Sequence, residues 1–410
     1  MQTAEAAATT EQAPSTGPAP STNPVPSAEQ APFLSIVMPA YNGESLIRDA
    51  ITCALNQPCR DLELIIGNDG STDSTLAICE EFAAADPRVR IDDHVNYGLG
   101  KNLNELVRKT RGKWLIILSQ DDAIVDDFYT DELKAFLETC AANDIEVIVP
   151  ARLHSKLGES KTRVDYVPEH GLVGQYSPTS WDIQHELSSL LYSLDNIRRN
   201  ELWFYEGYVE MESIWRHKNV YTARKALFTN DFYFAIRHRH DAQITSTWDF
   251  FKISPVRIET YWDLCLWHEQ VNGSDAAACQ RSWETLSDIV VNYVLDAYKK
   301  YGIGPKMDEA LRVGRVGELL DAMPKQLGRT HRRILKGRRF KFVLNWARDN
   351  KDKWQHRWPV KVKKSTTSDI ADLQAAAADF PAAYAKNVER CNLKPESDPG
   401  SEPENEQRSE

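Results

Sequence analysis

Residues 33–149 alternate between short apolar segments and longer segments with helical spacing, and this alternation constrains the fold most strongly. Segments 33–39 and 62–68 are apolar runs of strand length, and the first ends at a proline. Segment 44–56 repeats apolar residues every three or four positions, as an amphipathic helix does. The same patterns predict helices at 74–85, 99–110 and 131–143, and strands at 88–92, 113–118 and 145–149. Repeated strand–helix units favour the α/β class, with a mostly parallel twisted sheet flanked by helices.

Polar clusters follow three of these strands, at 40–43, 68–73 and 119–122. In open α/β sheets, ligands bind at the carboxyl ends of the strands near the switch in strand order, so we expect a ligand site there. Asp69 could accept a hydrogen bond from a base N–H or a ribose hydroxyl. The alternative is that Asp69 and Asp73 only shape the turn and cap the next helix.

Asp121 and Asp122 are adjacent acids directly after a strand. Neighbouring carboxylates repel each other unless a cation or hydrogen-bond donors compensate. Mg²⁺ or Mn²⁺ typically binds one or two carboxylates together with substrate phosphate oxygens, which suits this pair. The alternative is an acidic pair at a helix N-terminus, which the helix dipole favours.

Four segments in order, 35–57, 62–75, 96–104 and 111–122, resemble the family 2 glycosyltransferases, whose fold is called GT-A. The resemblance extends less clearly to about residue 250. It implies an inverting transfer of a sugar from a nucleoside-diphosphate sugar to a hydroxyl of a saccharide, polymer or lipid-linked acceptor. It also implies Mn²⁺ or Mg²⁺ as cofactor, and a role in envelope or polysaccharide synthesis.

The resemblance assigns roles to individual positions. It implies a nucleotide-binding set of Pro39, Ala40, Tyr41, Asp69, Lys101, Gln120 and Asp121. Within that set Asp69 would bind the base, Lys101 would lie near the diphosphate and Asp121 would bind the metal. The chain departs from the family at Asn68 and Ser119, where the family usually has acids, so Asp121 and the substrate phosphates would hold the metal without the second carboxylate.

Residues 204–246 resemble the acceptor side of the family, with Trp215 aligned to a family tryptophan. This alignment places Met211 where the family commonly has its aspartate base. We therefore predict Glu210 or Glu212 as the base, because either could reach the cleft from this helix. The alternative is that both carboxylates face solvent.

His240 matches a family histidine and is predicted to bind the metal or the diphosphate. Arg237, His238 and Arg239 make this stretch basic, which suits a diphosphate. The alternative is a basic strand on the surface.

The ends of the chain differ in composition from its middle. We expect a disordered leader at 1–31, a GT-A domain at 32–272 divided at 125/126, a helical basic region at 273–364 and an acidic low-complexity tail at 365–410. Seven cysteines without paired spacing predict free thiols in a reducing compartment. No signal peptide or membrane span is predicted, so we expect a cytoplasmic protein.

Segment 325–364 is strongly basic, with eight lysines and seven arginines against two aspartates, a net charge of +13. Tryptophans and phenylalanines lie between these charges, a pattern that suits an anionic membrane surface at the inner face. A solvated helical appendage or a homo-oligomerisation element is the alternative. Nucleic acid is a weaker candidate, because no nucleic-acid motif accompanies the patch.

Two functions remain open. The first is the glycosyltransferase itself. The second, suggested by Ser119 and Met211, is a nucleotide-sugar-binding or scaffold protein of the same fold with weak or no transfer activity.

Overall fold

The fold was examined in a computed structural model. It describes residues 31–124, 127–155, 161–165, 171–177, 187–206, 211–237, 250–273, 277–301 and 365–368, with isolated positions at 180, 306, 309, 310 and 312. Residues 1–30 of the leader, Glu210, His240, the basic segment 325–364 and the tail beyond residue 368 lie outside these residues.

Four parallel strands form the centre of the sheet, as predicted. They are β1 (Leu34–Ala40), β2 (Leu62–Asp69), β3 (Val89–His94) and β4 (Trp114–Ile117). β1 lies between β2 and β4, and β3 pairs with the far side of β2. The order is therefore 3-2-1-4, and it switches direction between β1 and β4. Ligands of such sheets bind outside the carboxyl ends of the strands at this switch.

Helices cover both faces of these strands. The first four are α1 (Ile47–Leu55), α2 (Thr75–Ala85), α3 (Leu99–Lys109) and α4 (Asp131–Ala142). Successive side chains of a strand point to opposite faces, so Ile36 and Met38 of β1 pack with α1 and α4, whereas Val37 packs with α3. Helix α1 begins three residues later than predicted, because 44–46 form a turn.

The second half adds mostly antiparallel pairing, which the sequence did not indicate. The strands are β5 (Asp122–Ile124), β6 (Ile145–Ser155), β7 (Lys161–Asp165), β8 (Gly171–Gly174), β9 (Leu191–Ser193), β10 (Lys225–Arg237) and β11 (Ser365–Ser368). The main sheet runs β11-β7-β6-β9-β4-β1-β2-β3, and β10 joins β6 in parallel and β5 and β8 in antiparallel fashion. Helices α5 (Leu194–Arg199) and α6 (Met211–Thr222) pack on the α3 face.

Two long helices complete the described chain. α7 (Phe250–Asn272), which was not predicted, packs against α8 (Ala277–Tyr301), and Gly273 follows α7 with a positive φ of 72°. α8 lies in the region 273–364 that the sequence predicted to be helical, and it buries an apolar stripe of Leu286, Val290, Tyr293 and Ala297. None of the helices in the described ranges has the length and apolar character needed to cross a bilayer. The six cysteines in these ranges are free thiols, as expected.

A buried histidine pair joins α6 to α7. Nε2 of His217 lies 2.9 Å from Nε2 of His268, so one ring donates and the other accepts. Burial, followed by the charge of the partner ring, holds the pKa of His217 well below its usual value. Burial and the nearby Lys218 lower the pKa of His268 to about 4. Both rings are therefore neutral in the folded protein near pH 7.

Stability should fall as the pH is lowered from about 6.5 towards 4. The unfolded histidines take up protons near pH 6.5, whereas the folded pair resists protonation, so acid favours the unfolded state. Each histidine contributes a slope of up to about 1.4 kcal/mol per pH unit in this window. Urea unfolding between about pH 4 and pH 7 measures this slope, and His268→Gln should reduce it. An unchanged slope in that variant would contradict the role of the pair.

Candidate active site

The three predicted polar clusters meet at the carboxyl ends of β1, β2 and β4. Tyr41, directly after β1, donates its N–H to Oε1 of Gln120 at 3.0 Å and accepts a hydrogen bond from Nε2 of the same side chain at 2.9 Å. Gln120 follows β4, so these bonds cross the switch between β1 and β4. The Tyr41 side chain stays accessible, with 48% of the residue exposed. The Tyr41 ring is therefore exposed at the edge of the sheet where this type of fold binds its ligands.

A second set of bonds ties the loop after β1 to the loop after β2. Asn42, whose φ is 47°, donates its N–H to Oγ of Ser71 at 3.0 Å, and its Oδ1 accepts from the N–H of Thr72 at 2.8 Å. Glu44 accepts from the N–H of Ser74 at 2.9 Å. These hydrogen bonds hold the two loops together.

Asp73 shapes the start of α2, in agreement with the alternative that it forms the turn and caps the helix. Its carboxylate accepts from the N–H and the hydroxyl of Thr75 and from the N–H of Glu44. Partial burial opposes the charged form, yet these hydrogen bonds hold the pKa of Asp73 below its usual value. Asp73 is therefore a turn and helix-start residue.

Asp69 ends β2 with its carboxylate directed to the backbone before α3. Oδ1 accepts the N–H of Tyr97 at 2.5 Å, and Oδ2 accepts the N–H of Gly98 at 3.0 Å. The side chain is only 6% exposed. Asn68, where the family has another acid, is also buried, and it donates from Nδ2 to Asp93 at 2.7 Å.

Lys101 lies in the first turn of α3 beside an aromatic stack. Its Nζ lies 3.9 Å from the ring centroid of Tyr97. The Tyr97 ring stacks on His94 with centroids 4.3 Å apart and an angle of 9°. Sequence reasoning missed His94 and Tyr97, although Tyr97 belongs to the segment 96–104 that carries the resemblance.

The two remaining nucleotide-binding candidates on β1 differ in what their side chains can contact. Ala40 is 2% exposed and its side chain packs in the α1 face of the core. Only the backbone of Ala40 can therefore line a pocket. Pro39 is partly buried in the same strand.

Asp121 and Asp122 have different environments. Asp122 is buried and begins β5, and its Oδ2 accepts from the Ser188 hydroxyl at 2.8 Å. Asp121 is only partly buried and lies at the rim beside Gln120. The alternative of an acidic pair at a helix N-terminus is wrong, because residues Asp122–Ile124 form a strand paired with β10.

The described residues contain no group of three or more side chains placed to hold a metal ion. One accessible carboxylate, Asp121, suits a divalent cation that binds largely through phosphate oxygens of a substrate. These residues therefore fit a cation that binds together with a phosphorylated ligand. His240, the other predicted ligand, lies outside the described residues.

The start of α6 packs against the start of α3. A Cβ on Gly100 would lie 2.2 Å from the carbonyl oxygen of Tyr205 and 2.8 Å from Sδ of Met211. Asn104, one turn further along α3, exchanges two hydrogen bonds with the backbone of Phe204, at 2.8 and 3.0 Å. The first turn of α6 thus lies beside the turn that carries Lys101.

Gly100→Ala should separate these two helices. The added methyl group meets a backbone carbonyl that cannot rotate away, so we expect a loss of about 1–3 kcal/mol in the free energy of unfolding. Gly174→Ala is the matched control, because no atom lies within 4 Å of its added Cβ. Chemical unfolding of both variants measures the difference. Equal stability of the two would contradict the close contact.

Of the predicted base candidates, only Glu212 lies in the described chain. It is partly buried in the first turn of α6. Burial lowers the pKa of Arg216 one turn later, and the charge of Glu212 opposes that effect. Met211 is 1% exposed and belongs to the core of the α3 face, so an acid at that position would be buried among apolar side chains.

Comparison with known proteins finds similarity to one family over the first part of the described chain. Residues 35–166 match the family model "Glycosyl transferase family 2". The chain is 42% identical over 99 residues to the chondroitin synthase of Escherichia coli, covering 24% of this chain and 14% of that protein. It is 38% identical over 109 residues to the hyaluronan synthase of Pasteurella multocida, covering 27% and 11%. The match therefore spans only a small part of these long relatives.

A longer match is found in an uncharacterized glycosyltransferase of Haemophilus influenzae, with 27% identity over 223 residues, 53% of this chain and 61% of that protein. Among solved structures, S. aureus TarS 1–349 in complex with UDP-GlcNAc has a TM-score of 0.56 and 15% identity, over 82% of this chain and 97% of that one. At this identity the likeness shows the fold alone, and it confirms the predicted GT-A type.

Proposed function

We propose that this chain is a family 2 glycosyltransferase, because residues 35–166 match that family, and that it transfers a sugar from a nucleoside-diphosphate sugar to an acceptor hydroxyl. The observation that carries the proposal is the rim at the β1/β4 switch. There an exposed Tyr41, Gln120 and the accessible Asp121 lie together. The acceptor would be a saccharide, a polymer or a lipid-linked sugar in polysaccharide synthesis.

The site offers a group for each requirement of the reaction. The exposed ring of Tyr41 gives the nucleobase a surface on which to stack. Lys101 would stabilise the departing diphosphate by its positive charge. Mn²⁺ or Mg²⁺, when bound, would neutralise part of the phosphate charge, and Asp121 is the described residue that would hold it.

The acceptor hydroxyl needs a base, and Glu210 or Glu212 flanks the buried Met211 at the start of α6. The base would take the proton of the acceptor hydroxyl as its oxygen attacks the anomeric carbon. In an inverting reaction this attack and the departure of the diphosphate form one displacement. Support for inversion comes from the family resemblance alone.

A second candidate function is nucleotide-sugar binding with little turnover. Met211 supports it, because the usual position of the base is occupied by a side chain in the core. Asn68 supports it further, since the acid that the family has there is replaced by an amide tied to β3. Both candidate functions predict nucleotide binding, but only the first predicts efficient sugar transfer.

A panel of nucleotide sugars with Mn²⁺ or Mg²⁺ tests the proposal by release of nucleoside diphosphate, with and without saccharide acceptors. Release with one donor, faster when an acceptor is added, is expected for the transferase. Nucleotide binding without release from any donor would favour the second candidate. A chain that bound no nucleotide would contradict both.

A further inference from the structure

We propose that the side chains of Trp203, Tyr205, Arg108 and Lys218, beside the candidate active site, bind an acidic saccharide as the acceptor. We call these four side chains the acceptor strip. The inference rests on the proposed function, which gives the chain an acceptor hydroxyl, and it adds that the acceptor saccharide carries carboxylate or phosphate groups.

The aromatic part of the strip comes from the segment just before α6, in which burial alternates. Leu202 and Phe204 are buried in the core of the α3 face. Trp203 and Tyr205 pack against the same core but are only partly buried, so part of each ring stays accessible. A sugar ring has an apolar face of C–H groups, which can pack on an aromatic ring while its hydroxyls stay in water. The two rings therefore offer a surface that suits a saccharide.

Each of these rings has a cation beside it. Cζ of Arg108 lies 4.8 Å from the ring centroid of Trp203, and Nζ of Lys218 lies 4.8 Å from that of Tyr205. Lys218 also donates to the hydroxyl of Tyr205 at 2.9 Å, and its Nζ lies 5.1 Å from the ring centroid of Trp267 on α7. Attraction to the ring faces restrains both cations. A saccharide packed on the rings would therefore meet a positive charge at each of them.

Both cations can act on an anionic ligand near neutral pH. Burial lowers the pKa of Lys218 to about 8, and the charge of Asp263 acts in the opposite direction, so most of the ammonium is charged at pH 7. Arg108 is exposed and pairs with Glu105 at 2.8 Å. A guanidinium has five N–H donors, so one ion pair leaves donors for a ligand. Hydrogen bonds between ionised groups are stronger than neutral ones, and the strip therefore favours an acidic saccharide over a neutral one.

The strip begins at the candidate active site and leads away from it. The backbone of Tyr205 packs against the first turn of α3. Lys218 lies about two helical turns after Met211 on the same face of α6. Arg108 lies about two turns after Lys101 on the same face of α3. The strip thus extends about 10 Å from the rim along both helices, so an acceptor whose end sugar lay at the start of α6 would place its following sugars on the strip.

Glycan-array binding of the full-length protein tests the strip. The array carries oligosaccharides with uronic acids or sugar phosphates, each beside a neutral counterpart in which the carboxylates are reduced to alcohols or the phosphates are removed. The wild type should bind one acidic class about tenfold more tightly than its neutral counterparts. Added salt should weaken only the acidic binding. The uronic-acid and phosphate arms identify the anion.

Two variants remove the charges and keep most of the side-chain volume. Lys218→Met should weaken binding of the acidic oligosaccharide about tenfold, and Arg108→Gln about threefold because Arg108 is exposed. Arg48→Gln is the matched control for the arginine. Arg48 is also exposed, pairs with Glu81 and lies 5.5 Å from the ring centroid of Phe82, but it belongs to α1 on the other face of the sheet.

Lys113→Met is the control for the lysine. Lys113 is exposed just before β4, at the opposite edge of the sheet, and its Nζ lies 5.8 Å from the ring centroid of Phe33. In transfer assays, Lys218→Met should raise KM for the acidic acceptor about tenfold and leave KM for the donor unchanged. A role of Lys218 in stability alone would not change one KM without the other.

Equal binding of acidic and neutral oligosaccharides would overturn the inference, as would binding of UDP or GDP without binding of any glycan. Equal losses of nucleotide and glycan affinity in Lys218→Met would also overturn it, since the residue would then support the fold. In each of these cases the proposed function stands. A wild-type protein that bound neither nucleotide nor glycan would overturn the proposed function together with the inference, so the two failures are distinguishable.

Discussion

Replacing Asp121 with alanine should lower kcat/KM for sugar transfer by about a thousandfold. In the proposed site this carboxylate is the described group that would hold a divalent cation against the donor phosphates. Removing one preorganised stabiliser of developing charge typically costs 10²–10³ in rate, and loss of the cation affects both binding and the departure of the leaving group. The dependence of nucleotide affinity on Mn²⁺ should weaken in the same variant.

Asp127→Ala is the control for Asp121, because it removes an exposed carboxylate a few residues further along the chain. Initial rates at several Mn²⁺ concentrations, together with nucleotide affinities with and without the metal, separate a loss of metal binding from a loss of folding. Asp122→Asn should lower the free energy of unfolding more than it lowers metal binding, because the Asp122 carboxylate is buried and accepts a hydrogen bond from Ser188. Full activity of Asp121→Ala would show that its assignment is wrong.

The parallel half of the fold could be predicted because its signals are local. Apolar runs of strand length and stripes of helical period each lie within a dozen residues, and the boundaries of β2 and α3 agree with the prediction to within one residue. Right-handed strand–helix units then leave few ways to arrange the sheet. The meeting of the three polar clusters followed from the rule that ligands bind at the carboxyl ends of parallel strands.

The second half could not be predicted in the same way, because its pairing joins distant parts of the chain. β10 pairs with β6 across 79 to 83 residues and with β5 across 111 to 115 residues, and no local pattern specifies such partners. The two hydrogen bonds between Asn104 and Phe204 join residues that are 100 positions apart in the sequence. These long-range contacts are set by packing, and a single sequence carries no direct signal for them.

The position of the candidate residues in the fold was predictable from the sequence, whereas the orientation of their side chains was less so. Spacing and resemblance brought Tyr41, Asp69, Gln120 and Asp121 to one rim, and the structure places all four at the carboxyl ends of β1, β2 and β4. Which way a carboxylate turns depends on the donors around it. The N–H groups that hold Asp69 belong to a loop 28 and 29 residues further on. No pattern around Asp69 itself reports their presence.

The second large loss of activity is expected from replacing the glutamates on either side of Met211, which are Glu210 and Glu212. Glu210→Gln or Glu212→Gln should lower kcat by about 10²–10⁴-fold, the usual contribution of a positioned base, and leave nucleotide affinity unchanged. The structural reason is the contact of Met211 with the Gly100 region, which places the first turn of α6 beside the turn that carries Lys101. Glutamine keeps the size of the side chain and removes only its ability to accept the proton.

Glu132→Gln is the matched control, because Glu132 is an exposed second residue of α4 just as Glu212 is the second residue of α6. Rates of nucleoside diphosphate release at saturating donor and acceptor, with nucleotide affinities measured in parallel, isolate the chemical step. One glutamine variant with a large loss in kcat would identify the base. Wild-type rates in both variants would show that neither glutamate takes the proton. The base would then belong to another part of the chain or to the acceptor, since Met211 cannot accept a proton.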